Sequence, residues 1–153
     1  MLVLYALLVI VLQSVVFARL NIFGVSPDLV LVSVISFAIL EKRERATLFA
    51  AGSGFMQDLL SFGAYLHTIT RVAVSSLVGI LKEGFLGNEY SMAALFVVFF
   101  TPLILIIEGG WHALFGGRPL DLMHLASTIF VATLYNLILV PIIFPILKKL
   151  CHA

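Results

Sequence analysis

Long hydrophobic runs alternate with short polar segments along the chain. Most of the polar segments contain or adjoin glycine or proline, as loops between helices do. A helix needs roughly 20 apolar residues to cross the ~30 Å hydrocarbon core of a membrane, and several runs approach or exceed that length. The runs cover about Leu2–Ala18, the stretch that begins after Pro27 and ends at Leu40, Ala46–Leu81, Ser91–Leu114 and Met123–Leu147.

The run from Ala46 to Leu81 is long enough for two helices. Its only Asp, Glu, Lys or Arg residues are Asp58 and Arg71. Ser61-Phe62-Gly63-Ala64 is the predicted turn of a tight hairpin, because glycine commonly follows a helix C-terminus. With this division, the pattern predicts six helices.

Composition indicates that these helices face lipid and not water. The chain has 153 residues, of which 62% are hydrophobic and 11% charged, and its mean hydropathy is +1.18. Soluble domains have about 45–50% apolar and about 25% charged residues. We therefore expect an all-α, polytopic membrane protein in which residues 1–153 form a single six-helix transmembrane domain. The net charge of +1 gives no indication of a nucleic-acid partner.

The distribution of lysine and arginine predicts the orientation. With a cytoplasmic N-terminus, the outer segments hold only Arg19 and Arg118. The inner segments then hold Lys42, Arg43, Arg45, Lys82, Lys148 and Lys149. Basic residues concentrate on the cytoplasmic side, so both termini are expected to be cytoplasmic.

Three charged residues lie inside the predicted spans: Asp58, Arg71 and Glu108. A charge at the centre of a span costs roughly 2.5–3.5 kcal/mol, so it usually has a partner or a purpose. At 1.5 Å per residue, all three lie about 7–9 Å below the outer interface. We expect Asp58 to pair with Arg71 and Glu108 to reach the same layer. One acid must then be protonated, or His67 must contribute a proton.

Small residues on the third and fourth helices predict a close packing face around this layer. Its members recur at helical spacing: Ala46, Ala50 and Gly54 before Asp58, and Ser75 and Gly79 after Arg71. Two interpretations stay open. The charged layer is either a structural clamp that fixes the hairpin, or a site for a lipid, another ligand, an ion or a partner.

Nothing in the sequence predicts catalysis, a cofactor or a metal site. No Cys/His cluster has zinc-ligand spacing. Ser53, in Gly52-Ser53-Gly54, resembles an intramembrane nucleophile in its surroundings. His67, its nearest candidate base, is expected at the opposite end of the hairpin, whereas a base must lie about 3 Å from its nucleophile.

Three motifs, in order, resemble the bacterial rod shape-determining protein MreD family. The first is Ser26-Pro27-Asp28, before a short apolar helix. The second, Gly52 to Gly63, reads Gly-Ser-Gly-Phe-Met-Gln-Asp-Leu-Leu-Ser-Phe-Gly and is the most specific. The third is Tyr135-Asn136, followed by Pro141 and a basic end. The loop departs from the family pattern, reading Ala-Tyr-Leu-His after Gly63 where a small Leu-Gly-type step is usual.

The resemblance implies a non-catalytic scaffold of the cell-elongation machinery in the bacterial inner membrane. Such proteins associate with the bitopic protein MreC. Through it they connect to the actin-like MreB filament, a RodA-type glycosyltransferase and its penicillin-binding transpeptidase, and so to lateral peptidoglycan synthesis.

The resemblance also implies a six-helix topology like that of the S-components, the substrate-binding subunits of vitamin importers. A small-molecule-binding transporter subunit is therefore the alternative function. Those subunits dock through an Ala-x-x-x-Ala motif on the first helix. Here Ala6 is followed four positions later by the bulky Ile10, which favours the scaffold.

Overall fold

The computed structural model describes residues 2–17, 19, 24–61, 65–117, 119 and 121–152, and the regular structure within them is helical. Six α-helices are present in these ranges. They are α1 (Leu2–Val11), α2 (Leu29–Leu40), α3 (Arg43–Ser61), α4 (Leu66–Leu81), α5 (Glu89–Phe115) and α6 (Leu122–His152). A π-helical segment (Leu12–Phe17) continues α1, and a 3₁₀ turn (Lys82–Gly84) follows α4. The all-α class predicted from the sequence is confirmed.

Helix α2 forms the centre of the fold. Every residue from Leu29 to Ile39 is buried, and the helix contacts each of the other five α-helices. Its 12 residues give a length of about 18 Å. Both ends of this short helix therefore lie among other helices, where their backbone groups need partners.

Lys82, which lies outside α2, binds the unpaired backbone carbonyls at the C-terminal end of that helix. Its Nζ donates to the carbonyl oxygens of Ala38, Ile39 and Glu41 at 2.8, 3.3 and 2.6 Å. Burial lowers the pKa of Lys82, and the neighbouring carboxylates of Glu83 and Glu41 oppose that shift. A cation at the negative end of the helix dipole is favourable, so α2 and the end of α4 are joined at this point.

Helices α3 and α4 form the expected hairpin, and the predicted turn residues 62–64 lie outside the described residues. The five residues of the predicted packing face are buried: Ala46, Ala50, Gly54, Ser75 and Gly79. Gly54 makes the closest approach. A Cβ atom there would lie 2.7 Å from the Cα of Thr68 and 2.9 Å from the carbonyl oxygen of His67.

Helices α5 and α6 are both long enough and apolar enough to cross a membrane. The sequence predicts that α6 ends near Leu147, yet it continues to His152 through Pro141 and Pro145. The first predicted helix also differs, because its hydrogen-bonding pattern changes from α to π at Leu12; its expected end at Ala18 lies outside the described residues.

Several contacts place the basic segments at one end of the bundle, which we call the basic end. Lys82 binds the carbonyl of Glu41, and Lys148 of α6 pairs with Glu89 of α5 at 2.8 Å. Cys151 is close enough to Glu41 for the carboxylate to raise its thiol pKa, in addition to the larger effect of burial. The start of α3, the α4–α5 connection and the end of α6 therefore share one end.

Substitution of two neighbouring glycines tests the hairpin packing. Gly54→Ala is expected to lower the free energy of unfolding by about 1–3 kcal/mol, because the added methyl group overlaps the α4 backbone. Gly52→Ala is the matched control, since a Cβ there meets no atom within 4 Å; it should leave stability unchanged or raise it by up to about 1 kcal/mol. Denaturant titration in detergent measures both, and equal stabilities would contradict the close approach.

Candidate functional site

Several polar side chains from different helices meet at the N-terminus of α2. Asp28 caps the helix, its Oδ1 accepting from the backbone N–H of Leu31 at 2.8 Å. Its other carboxylate oxygen accepts a hydrogen bond from Nη2 of Arg71. The backbone N–H of Asp28 donates to Oδ1 of Asn136 at 2.8 Å. One aspartate thus connects α2 to α4 and α6.

A glutamine from the π-helical segment completes this helix start. Oε1 of Gln13 accepts from the N–H of Leu29 at 2.7 Å, and its Nε2 donates to the carbonyl of Pro27 at 2.9 Å. Asn136 in turn donates through Nδ2 to Oγ1 of Thr101 on α5, at 3.1 Å. Side chains from four other elements therefore surround the start of α2.

The expected ion pair between Asp58 and Arg71 is wrong, because Arg71 pairs with Asp28. Arg71 is fully buried, and its Nη2 also lies 3.4 Å from Oε1 of Gln57. Its Nε and Nη1 have no hydrogen-bond partner within the described part of the chain. The guanidinium group thus contacts Asp28 at the start of α2 and Gln57 of α3, and not Asp58.

Asp58 has a different role, capping α4 from the neighbouring helix. Its carboxylate accepts from the backbone N–H groups of His67 and Thr68 at 3.1 and 2.8 Å, and from the Thr68 hydroxyl at 2.6 Å. Tyr65, at the N-cap position of α4, has a left-handed conformation (φ 56°) and makes no side-chain cap. Two N–H groups of the first turn, which have no partner within α4, therefore donate to Asp58.

Glu108 belongs to a third charge arrangement, beside His67. Its Oε1 lies 3.3 Å from Nδ1 of His67, an ion pair when the imidazole is protonated. The guanidinium charge of Arg71 is also close enough to act on Glu108. The expected layer of Asp58, Arg71 and Glu108 thus divides into neighbouring but separate contacts.

A polar cavity of about 280 Å³ adjoins these contacts. Acidic, amide, hydroxyl and imidazole groups line it: Asp28, Glu108, Gln13, Gln57, Asn136, Thr101, Thr128 and His67. Such walls offer hydrogen bonds to water or to a small polar ligand. Within the described residues, no group of three His, Cys, Asp or Glu side chains is placed to hold a metal ion.

Ser53 lies apart from this cavity, in a groove between α1 and α3. Its hydroxyl donates to the carbonyl of Ala50 at 3.3 Å, an ordinary contact within a helix. The hydroxyl proton of Ser53 is thus used in a hydrogen bond within α3. The candidate base His67 lies elsewhere, at the border of the polar cavity.

Sequence reasoning missed Asp28, Gln13 and Asn136 as members of the site. Signals for them existed: Asp28 follows Pro27 directly before a helix, the usual position of an N-cap. Gln13 and Asn136 are polar residues inside apolar runs.

A pair of double-mutant cycles distinguishes the two possible partners of Arg71. Arg71→Met should cost about 1–3 kcal/mol, because the carboxylate of Asp28, whose side chain is 25% exposed, loses its charged hydrogen-bond partner. Asp28→Asn keeps the capping oxygen and removes that charge. Asp28→Asn and Arg71→Met should therefore couple by about 1–3 kcal/mol, whereas Asp58→Asn and Arg71→Met should couple more weakly, since Asp58 binds the start of α4 instead of Arg71. Unfolding titrations measure both cycles, and larger coupling at Asp58 would contradict the assignment.

Comparison with known proteins identifies no relative of the chain. No protein-family model, no curated protein and no solved structure matches the chain.

Proposed function

We propose that the chain is a multi-pass inner-membrane protein that serves as a non-catalytic scaffold of the bacterial cell-elongation machinery. The membrane location is supported by the surfaces of α5 and α6. Only 39% and 28% of their most apolar 18-residue stretches are buried, whereas a core helix of a soluble protein is mostly buried. The remaining apolar surface is suited to lipid.

The observation that carries the scaffold proposal is the convergence of the three motifs on one cluster. Asp28 belongs to the first motif, Gln57 and Asp58 to the second, and Asn136 to the third. Asp28 binds Asn136, Arg71 joins Asp28 to Gln57, and Asp58 holds the start of α4. Residues that resemble the MreD family thus serve to join helices, which supports a role in assembly with an MreC-type bitopic protein.

The polar cavity favours the second candidate, a small-molecule-binding subunit of a membrane transporter. Its volume of about 280 Å³ is near the lower end of ligand pockets, roughly 300–1,000 Å³. Its walls are rich in hydrogen-bonding groups. The bulky Ile10 is buried, where the known docking motif of such subunits needs a small residue, so this function remains the second candidate.

Co-purification and depletion distinguish the two functions. In mild detergent, the tagged protein should retain a bitopic membrane protein with a coiled coil, and depletion should make rod-shaped cells round. Arg71→Met should weaken retention because it loosens the cluster, while Lys42→Met, at an exposed position, is the control. Normal cell shape together with lost uptake of one vitamin would contradict the scaffold and support the transporter subunit.

Labelling of Cys151 tests the proposed orientation, in which both termini are cytoplasmic. Cys151 is the single cysteine, and it lies at the basic end. Since burial raises its pKa, the thiolate fraction is small at neutral pH and labelling needs a mildly alkaline buffer. An impermeant thiol reagent should modify Cys151 in inverted vesicles and leave it unmodified in intact cells. Modification in intact cells would reverse the orientation.

A further inference from the structure

The hydrogen-bonding groups that line the polar cavity are not equally available to a ligand. At the start of α2, Gln13, Asp28 and Asn136 each bind a backbone N–H group of the helix start. The other oxygen of the Asp28 carboxylate is paired with Arg71. These side chains are therefore used within the fold, and a ligand has to bind elsewhere on the cavity wall.

Glu108, which also lines the cavity, lacks the hydrogen bonds that a buried carboxylate needs. Its Oε1 is buried and accepts no hydrogen bond within the described part of the chain. Nδ1 of His67 lies 3.3 Å away but makes no hydrogen bond there either, so the two groups are close without being aligned. A buried, charged acceptor without a donor is unfavourable. This carboxylate therefore favours a ligand that donates hydrogen bonds.

The fixed charge at the cavity favours a cation. Among the described residues, no lysine or arginine lines it. Arg71 is close enough to act on Glu108, but its Nη2 is bound to Asp28 and those two charges balance. His112 is also close to Glu108, and it and His67 are positive only when protonated. Glu108 thus has no permanent basic partner of its own.

Glu108 also borders a second cavity, at the end of the bundle opposite the basic end. This cavity has a volume of about 290 Å³ and shares Leu105, Glu108 and Thr128 with the polar cavity. Its other walls come from the last turns of α5 and from the beginning of α6, among them Gly109 and Leu125. A ligand that enters between these two helices therefore meets the Glu108 carboxylate on its way inwards.

The size and the apolar walls of the polar cavity limit the rest of the ligand. Its volume of about 280 Å³ suits a small molecule, and Leu31, Ile104 and Leu105 contribute apolar surface. A divalent metal ion prefers about six or more oxygen ligands, and the described residues hold no group of three His, Cys, Asp or Glu side chains for one. A short hydrocarbon group with a cationic, hydrogen-bond-donating end matches these properties.

We propose that the polar cavity binds one small organic ammonium ion. The ammonium group donates to the carboxylate of Glu108 and to the hydroxyl of Thr128, and the hydrocarbon part contacts Leu31 and Ile104, all of which line the cavity. This site rests on the geometry of the cavity and is independent of the scaffold function and of the orientation in the membrane.

Single substitutions separate charge from shape at this site. Glu108→Gln keeps the size of the side chain and removes its charge, so affinity for n-butylammonium should fall at least about tenfold. Thr128→Val removes one neutral hydrogen bond and should lower affinity about fivefold. Glu89→Gln is the matched control, because it makes the same change on α5 at the basic end, where Glu89 pairs with Lys148. Its affinity should equal that of the wild type.

Isothermal titration calorimetry of the purified full-length protein in detergent is the measurement, with protein-free detergent as the blank. n-Butylammonium chloride is the probe, and 1-butanol, sodium butyrate and sodium chloride are the matched compounds. The wild type and Glu89→Gln should show saturable binding of one butylammonium ion and no comparable binding of the other three compounds.

Equal binding of 1-butanol, of butyrate or of sodium ion would overturn the proposal, because the ligand would then not be an organic cation. Absence of saturable butylammonium binding to the wild type would also overturn it, as would equal affinities of the wild type, Glu108→Gln and Thr128→Val. If Glu108→Gln does not fold, the four compounds on the wild type and the Thr128→Val variant still decide the outcome. Retention of the bitopic partner is scored separately, so failure of the ammonium site and failure of the scaffold function are distinguishable.

Discussion

The structure depends on hydrogen bonds to both ends of a short, buried helix. An α-helix leaves about four N–H groups and four carbonyl groups unpaired at its ends, and each costs several kcal/mol in an apolar interior. Helix α2 meets this constraint with side chains from its neighbours. Gln13 and Asn136 bind its N-terminal side, and Lys82 binds its C-terminal side. The arrangement of the surrounding helices follows from these contacts.

The same constraint explains how the fold accommodates three carboxylates. Asp28 faces Arg71, Asp58 faces the positive N-terminal end of α4, and Glu108 faces His67. Asp28 and Asp58 thus each have their own source of positive charge, and Glu108 gains one when His67 is protonated. The positive N-terminal end of a helix can stabilise a carboxylate as a basic side chain does. A layer with more acids than bases therefore does not require a second arginine.

The sequence predicts the helices of this fold better than it predicts the partners of its charges. Runs of apolar residues locate the helices, and the four-residue spacing of Ala46, Ala50 and Gly54 identifies the face that packs on α4. The depth of a residue follows from counting along a helix, but its direction around the bundle does not. Asp58 and Arg71 have similar expected depths, yet Arg71 turns towards α2, whose position between α4 and α6 depends on packing of the whole chain. The π-helical segment similarly has no marker in its composition.

The capping of α2 also has a consequence for the order in which the protein is made. The ribosome completes α2 at Leu40, but the residues that bind its ends include Arg71, Lys82 and Asn136. Until the later ones are synthesised, several backbone groups of α2 lack their final partners. The hydrogen bonds at the ends of α2 are therefore complete only after α6 has been synthesised, because Asn136 lies on that helix. The buried position of α2 thus depends on residues that lie up to 108 positions later in the chain.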